Sequence, residues 1–334
     1  MAWGDVIRAV PSPVRSVIAA IAIVIASEAS VAYAEQSVHR IGVLTPPVAT
    51  SPMEKALSEA LRGLGYIEGT DITVEWRRST TGEEEEYRSL AAELVASRVE
   101  LIVASGSLAA RAALTETTVP VVFAPAGDPV ETGLAKSLAK PQGNGTGISI
   151  QARDLIAKRL ELLRAFVPHA RRIIYLGNSS APIAMGVLDG AKKAARTLGV
   201  KLITLDARNA GDLEAALRAI PASEADGMVV TGDLLLMAHK AKIAEAVRQA
   251  RLPAMFPVKE YHTEGVLMSY GPNLTVAMGR AAVYVDRILR GAKPSDLPIE
   301  QISKFEFIID LRVARALKLN PPQALLLRAD EILR

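Results

Sequence analysis

The sequence predicts an α/β protein of two similar lobes, each a doubly wound parallel sheet, joined by crossovers and holding a ligand in the cleft between them. Three observations lead there. Short β-rich runs alternate with stretches of helical period, and the same rhythm starts again after a Gly-rich segment at 140–149. The chain of 334 residues, 50% hydrophobic and 22% charged, is long enough for about two cores.

In the first unit the strand candidates are His39 to Leu44, Ile72 to Trp76, Glu100 to Ala104 and Pro120 to Phe123. Tyr87, Leu90 and Leu94 share one helix face, and the "EEEE" run before them suits the positive end of a helix dipole. "KPQGNGTGIS", residues 140 to 149, reads as the crossover to the second unit. There the strand candidates are Arg172 to Leu176, Lys201 to Leu205, Gly227 to Val230 and Pro253 to Phe256. Ile183, Val187, Ala191, Ala194 and Leu198 step by three or four between them, as a helix face does.

The first 34 residues differ from the rest: Arg8 and Arg15 lead into an apolar run from Val17 to Ala26 and then to Ala32-Tyr33-Ala34, the pattern of a signal-peptide cleavage site. The run is too short for a comfortable membrane span, so the expectation is export, with no membrane insertion after cleavage near Glu35. A chain without cysteine has no thiol nucleophile, thiolate metal site or cysteine-borne lipid anchor. The expected location is therefore the periplasm, as a soluble protein.

Other classes find little support. A formal charge of +3, with no Lys/Arg cluster interleaved with aromatics, argues against nucleic acid. "GNGTG" lacks the last glycine of a dinucleotide loop, no P-loop occurs, and the four histidines are scattered with no metal-ligand spacing. No Gly-x-Ser-x-Gly elbow is present. Neither catalysis nor a cofactor or metal is expected.

In a two-lobed α/β protein the ligand lies outside the carboxyl ends of the strands, which selects the residues that follow each strand. In the first unit these are Thr45 and Pro46, then Ser105, Gly106 and Ser107, then Phe123 and Asp128. The serines serve as helix caps or as donors to a carboxylate; the physics of free N–H groups at a helix start is the same for both. In the second unit they are Asn178 and Ser179, then Thr231, Gly232 and Asp233, and finally Tyr270, whose ring either packs at a hinge or stacks on a ligand. Asp128, inside Pro125 to Pro129, fits an Asx turn that fixes the strand end at the cleft rim.

The stretch "PVVFAPAGDPVETGLAKSLAKPQGNGTGIS" resembles the signature of the ABC transporter substrate-binding family related to tryptophan and tyrosine importers, and the similarity runs from about Arg40 to the C-terminus. It also covers "LRGLGYIEGTDITVEWR", "LPAMFPVKEYHTEGVLMSYGPNL" and "ILRGAKPSDLPIEQISKFEFIIDLRVARALKL". The resemblance implies a type I periplasmic binding protein fold, with residues 35–148 and about 272–302 in lobe 1, and 149–271 and about 303–334 in lobe 2. It also implies a small-molecule solute as ligand and, as partner, an ABC importer whose permease is contacted directly and is driven by ATPase subunits.

Departures from the family pattern concern the ligand. Ser105-Gly106-Ser107-Leu108-Ala109-Ala110 stands where amino-acid-binding relatives tend to read Gly-Thr-Pro-Ala-Ala, Thr231-Gly232-Asp233-Leu234 where they resemble Thr-Asp-Asn, and Ala181-Pro182-Ile183-Ala184 where they often read Glu-x-Asn-Ser. These exchanges point away from an amino acid and toward a less polar or differently charged solute. Competing readings are an exported sensor component that uses the same clamp and a cofactor-free two-domain enzyme such as a racemase.

Overall fold

The structure is a computed structural model that describes residues 38–47 and 51–334; the predicted export segment lies outside the described residues. The chain begins with β1 (His39–Thr45), α1 (Ser51–Gly63), β2 (Ile72–Arg78), α2 (Glu84–Ala96), β3 (Leu101–Ala104), α3 (Ser107–Glu116), β4 (Val121–Ala126) and β5 (Gly145–Ser149). It continues with α4 (Ala152–Phe166), β6 (Arg172–Gly177), α5 (Ala184–Leu198), β7 (Lys201–Asp206), α6 (Ala210–Ala219), β8 (Gly227–Val230), α7 (Leu234–Ala238), α8 (Lys240–Gln249), β9 (Ala254–Phe256) and β10 (Met268–Pro272). Then come α9 (Leu274–Leu289), β11 (Glu300–Gln301), β12 (Phe305–Asp310), α10 (Leu311–Ala316), α11 (Gln323–Leu326) and β13 (Glu331–Leu333).

Two sheets result, in the orders β11-β5-β4-β3-β1-β2 and β13-β12-β10-β9-β8-β6-β7. Every neighbouring pair is parallel except β10 with β12. Parallel strands need helices on both faces, and the alternation of side chains sorts them. Leu101 and Val103 face a core built with α1 and α9, whereas Ile102 and Ala104 face α2 and α3. In the second sheet Ile173 and Tyr175 pack toward α4 and α5, and Ile174 and Leu176 toward α6 and α8.

The strands foreseen in both units are present, and so are the predicted helix faces: Tyr87 and Leu94 are buried, with Leu90 packed beside them, and Val187 and Ala191 are buried in α5. The segment at 140–149 differs. Its second half is the strand β5, held between β4 and β11, and the change of lobe falls at Ile150 and Gln151 instead. Glycine here serves close backbone approach: Gly147 has φ +150°, and a Cβ on it would lie 2.0 Å from the carbonyl oxygen of Phe123.

Three connections cross between the lobes and are tied to one another. Gln151, in the left-handed conformation, donates from Nε2 to the carbonyl of Ile302 at 3.2 Å. Asn273 caps α9 by accepting from the Val276 N–H at 3.0 Å, and its Nδ2 donates to Glu306 Oε1 at 2.8 Å. The crossovers therefore form one strap between the lobes.

On the first lobe, the turn after β2 is organised by one carboxylate. Glu86 Oε1 accepts from the Thr80 N–H (2.8 Å) and hydroxyl (2.7 Å), Oε2 from the Thr81 N–H (2.8 Å) and hydroxyl (2.6 Å), and the Ser79 hydroxyl donates to Oε2 as well. Burial pushes the Glu86 carboxyl up, but the donors outweigh it and hold it far below the usual carboxylate range. A depressed pKa gives stability that is present above the ordinary value of 4.5 and is lost as the pH falls below it. Glu86→Gln is expected to cost about 1 kcal/mol at neutral pH, a figure discounted for its partial exposure, and to flatten the acid limb of a urea-unfolding pH series. An unchanged acid limb would show that the carboxylate contributes nothing.

Candidate ligand cleft

The carboxyl ends of β1, β3 and β4 face those of β6, β8 and β9, and on this side the lobes touch. Gly127, in the turn after β4, lies against Ile183: a Cβ there would be 2.9 Å from Ile183 Cγ2. Gly106 faces Leu234 in the same way at 3.5 Å. Arg153 at the start of α4 pairs with Glu131 of the opposite lobe at 2.7 Å. Its backbone N–H donates to Asp128 Oδ2 at 3.3 Å. Asp128 thus reaches across the seam to the start of α4. Its expected Asx turn is replaced by that contact, and burial pushes its carboxyl up.

Beneath the seam lies a cavity of about 30 Å³ lined by Ile150, Ala152, Leu155, Arg159, Tyr175, Asn178, Ala181, Ile183, Ala184, Val187, Thr231, Gly232 and Asp233. In this closed arrangement there is space for about two waters. Its walls are mostly apolar and its polar groups few, the usual composition of a small-molecule pocket.

Arg159 is the residue that the strand-end rule could not find. It belongs to the buried stripe of α4, with Leu155, Ile156, Leu160, Leu162, Leu163 and Phe166. The residue is only 4% exposed. Its Nε donates to the carbonyl of Tyr270 at 2.8 Å and its Nη2 to that of Pro257 at 3.1 Å, and no ion pair to it is present among the described residues. Burial pushes the guanidinium down to about 10, so it stays charged at neutral pH. Room for it comes from Gly271, where a Cβ would stand 3.2 Å from Nη2 and 1.8 Å from the Pro257 oxygen. The sequence did carry a signal: an arginine stands at a core position of an amphipathic helix.

Asp233 caps α7. Its Oδ1 accepts from the N–H groups of Leu235 (2.9 Å) and Leu236 (3.2 Å), and its Oδ2 from Asn178 Nδ2 at 3.3 Å. Burial pushes its carboxyl up, opposed by those donors. Asn178 Oδ1 in turn accepts from the Ser180 N–H at 3.0 Å and hydroxyl at 2.6 Å.

Of the residues expected from the sequence, Asn178, Thr231, Gly232 and Asp233 meet at the cavity. Ser179 turns outward, donating from its hydroxyl to Asp206 at 2.6 Å. Tyr270 contributes its carbonyl, while its ring packs 5.9 Å from Phe305 and 6.4 Å from Phe307. Phe123 is fully buried in the core of lobe 1, because its side chain alternates onto the face covered by α2 and α3. Thr45 and Pro46 are buried at the end of β1, the former donating to the Arg77 carbonyl at 3.4 Å and the latter accepting from Arg78 at 3.4 Å. Neither serine caps α3; the cap position is Gly106 with φ 97°. Ser107 Oγ instead accepts from the Gly127 N–H at 2.8 Å, bracing the turn at the seam, and Ser105 is 4% exposed.

A larger cavity, about 570 Å³, opens elsewhere on the second lobe, between α8, α10 and the approach to β10, with His262, Asp310 and Arg312 on its walls. It lies at the amino end of β10, opposite the cleft. Among the described residues no cluster of His, Asp or Glu could hold a metal ion, and no helix is long and apolar enough to cross a membrane.

Comparison with known proteins agrees with this architecture. Residues 47–333 match the family described as ABC transporter substrate binding protein. A tyrosine-binding protein of Clostridioides difficile (strain R20291) is 24% identical over 282 residues, which cover 83% of this chain and 81% of that one. Among solved structures, a conserved domain protein of Vibrio cholerae O1 biovar El Tor superposes with a TM-score of 0.83 at 24% identity, over 89% of this chain and 100% of the other. An ABC domain in complex with L-Trp from Streptococcus pneumonia gives 0.81 at 22%, over 88% and 100%. The fold is that of the type I periplasmic binding proteins, and the match over residues 47–333 means that the chain belongs to the ABC transporter substrate-binding protein family.

Proposed function

We propose that the protein is an exported, periplasmic binding component that captures a small organic solute between its lobes, without chemical change, and delivers it to the permease of an ABC importer. The observation that carries this reading is the seam itself. Polar groups of lobe 2 line a cavity beside the seam, where its wall residue Ile183 meets Gly127 of lobe 1, and three crossovers form one strap. A solute that touches both sides binds the closed form better than the open one, and that difference couples capture to docking. The Arg-led apolar run ending in Ala32-Tyr33-Ala34 supports export.

The test is a thermal-shift screen of the mature chain against amino acids, aromatic acids, nucleosides and small carboxylates. A ligand selective for the folded state raises the midpoint. At least one compound is expected to do so, to be recovered unchanged by mass spectrometry, and to be taken up more slowly by cells lacking the gene. Consumption of the hit would replace capture with catalysis, and normal uptake in the deletion strain would remove the importer. The relatives named for tyrosine and solved with L-Trp make the aromatic amino acids and their deaminated analogues the first probes.

A further inference from the structure

We propose that the larger cavity of lobe 2 is a second binding site, separate from the cleft, for an organic anion with an apolar body. Its volume of about 570 Å³ falls within the range of small-molecule pockets, against about 30 Å³ in the cleft. Val247, Leu252, Val266 and Leu267 form an apolar floor, and Val313 and Leu317 continue it on the side of α10. The first four are buried and belong to the packed core of the lobe, so the floor is held in place from behind. The proposal is independent of the capture reading, because this cavity and the cleft lie at opposite ends of β10.

The charge on the walls is one-sided. Arg248, Arg251 and Arg312 line the cavity together with one carboxylate, Asp310. Asp310 is 0% exposed and is committed to Arg312: its Oδ1 accepts from Nε at 3.1 Å and its Oδ2 from Nη2 at 2.7 Å. A carboxylate already paired with a guanidinium is no counter-charge for a cationic ligand. The pair instead fixes the planar fork of Arg312, whose side chain is 58% exposed. Arg248 pairs with Glu245 one turn away on α8, while Arg251 has no ion pair among the described residues. His262 is bonded through Nε2 to Ser269 Oγ at 3.0 Å, and burial pushes it down to about 4, so it is neutral at pH 7. A positive rim over an apolar floor is the complement of an amphipathic anion.

The experiment follows the fluorescence of 8-anilinonaphthalene-1-sulfonate on the folded protein and its displacement by four probes of equal chain length, all below their micellar concentrations. Octanoate and octyl phosphate are the anions, octanol the neutral control and octylammonium the cation. The sulfonate is expected to bind the wild type and to be displaced by at least one of the two anions, with octanol and octylammonium weaker by about tenfold or more. The tighter of the two anions names the head group, carboxylate or phosphate. Two variants place the site. Arg251→Glu reverses the charge at an exposed rim position and should weaken the anion by about tenfold or more. Ala316→Trp fills the cavity from an exposed position on α10 and should abolish binding.

Octanol or octylammonium binding as tightly as the anions would overturn the assignment of class. Anion binding undiminished in both variants would put the probe elsewhere on the molecule and overturn the site. Failure of both anions to bind overturns the proposal outright and leaves capture in the cleft untouched. The thermal midpoint of each variant reports whether it folds, and because the two substitutions sit on different elements, either one alone carries the test of place.

Discussion

Alanine at Gly147 is expected to destabilise the protein by about 3 kcal/mol or more, measured as a lower urea midpoint with an unchanged slope. The residue has φ +150°, a conformation that an L side chain rarely adopts, and the added methyl would lie 2.0 Å from the oxygen and 2.8 Å from the nitrogen of Phe123. Neither atom can yield. Phe123 is paired with Gly147 in register, as are Val122 with Thr146 and Val121 with Gly145, and β5 is held on its other edge by β11. Gly145 is a control within the same strand. A Cβ there would meet Leu114 Cδ2 at 2.8 Å, a side-chain tip that can rotate, so Gly145→Ala should cost clearly less. Equal losses would show that the strand tolerates the backbone contact.

The same glycines explain what was and was not legible in the sequence. Strands such as Arg172–Gly177 and Gly227–Val230 are continuous apolar runs because both faces of a parallel sheet are covered, and such runs are read directly. β5 has no such run. Its residues are Gly145, Thr146, Gly147, Ile148 and Ser149, and the glycines that permit close approach to β4 are the residues that mark a loop by composition. Tertiary fit decided the conformation there.

The site divides in a similar way. Asn178, Thr231, Gly232 and Asp233 follow strands of lobe 2, so topology alone selects them. Thr45, Ser105 and Ser107 follow strands as well, yet their side chains are buried or braced against neighbouring turns, which depends on side-chain direction and cannot be read from order along the chain. Arg159 lies on a helix, outside the rule. It is visible only as a charge in an apolar stripe, and the carbonyls that hold it come from residues 98 and 111 positions away.

Asp233 gives the other large effect, because it joins a helix cap to a buried charge. Asp233→Ala leaves the N–H groups of Leu235 and Leu236 and the Asn178 amide without their acceptor. The expected cost is about 3 kcal/mol, from a lost cap and unsatisfied buried donors. Asp233→Asn keeps an oxygen for the α7 N–H groups, and Asn caps as well as Asp, but its amide nitrogen would face the Asn178 amide that Oδ2 now accepts from, so a loss of about 1–2 kcal/mol is expected, smaller than for Asp233→Ala.

The pH dependence separates the two contributions. Burial raises the Asp233 carboxyl above its ordinary 3.8. The folded chain then binds this proton more readily than the unfolded chain, and the slope of stability with pH is negative between the two values. The wild type should therefore lose stability from this group as the pH rises from about 3.8 through the raised value, while Asp233→Asn stays flat there. This is opposite in sign to Glu86, so the difference between Asp233→Asn and wild type across a pH series isolates the buried charge. If Asp233→Asn falls with Asp233→Ala at every pH, the carboxylate itself carries the cap; if both match the wild type, α7 holds without it.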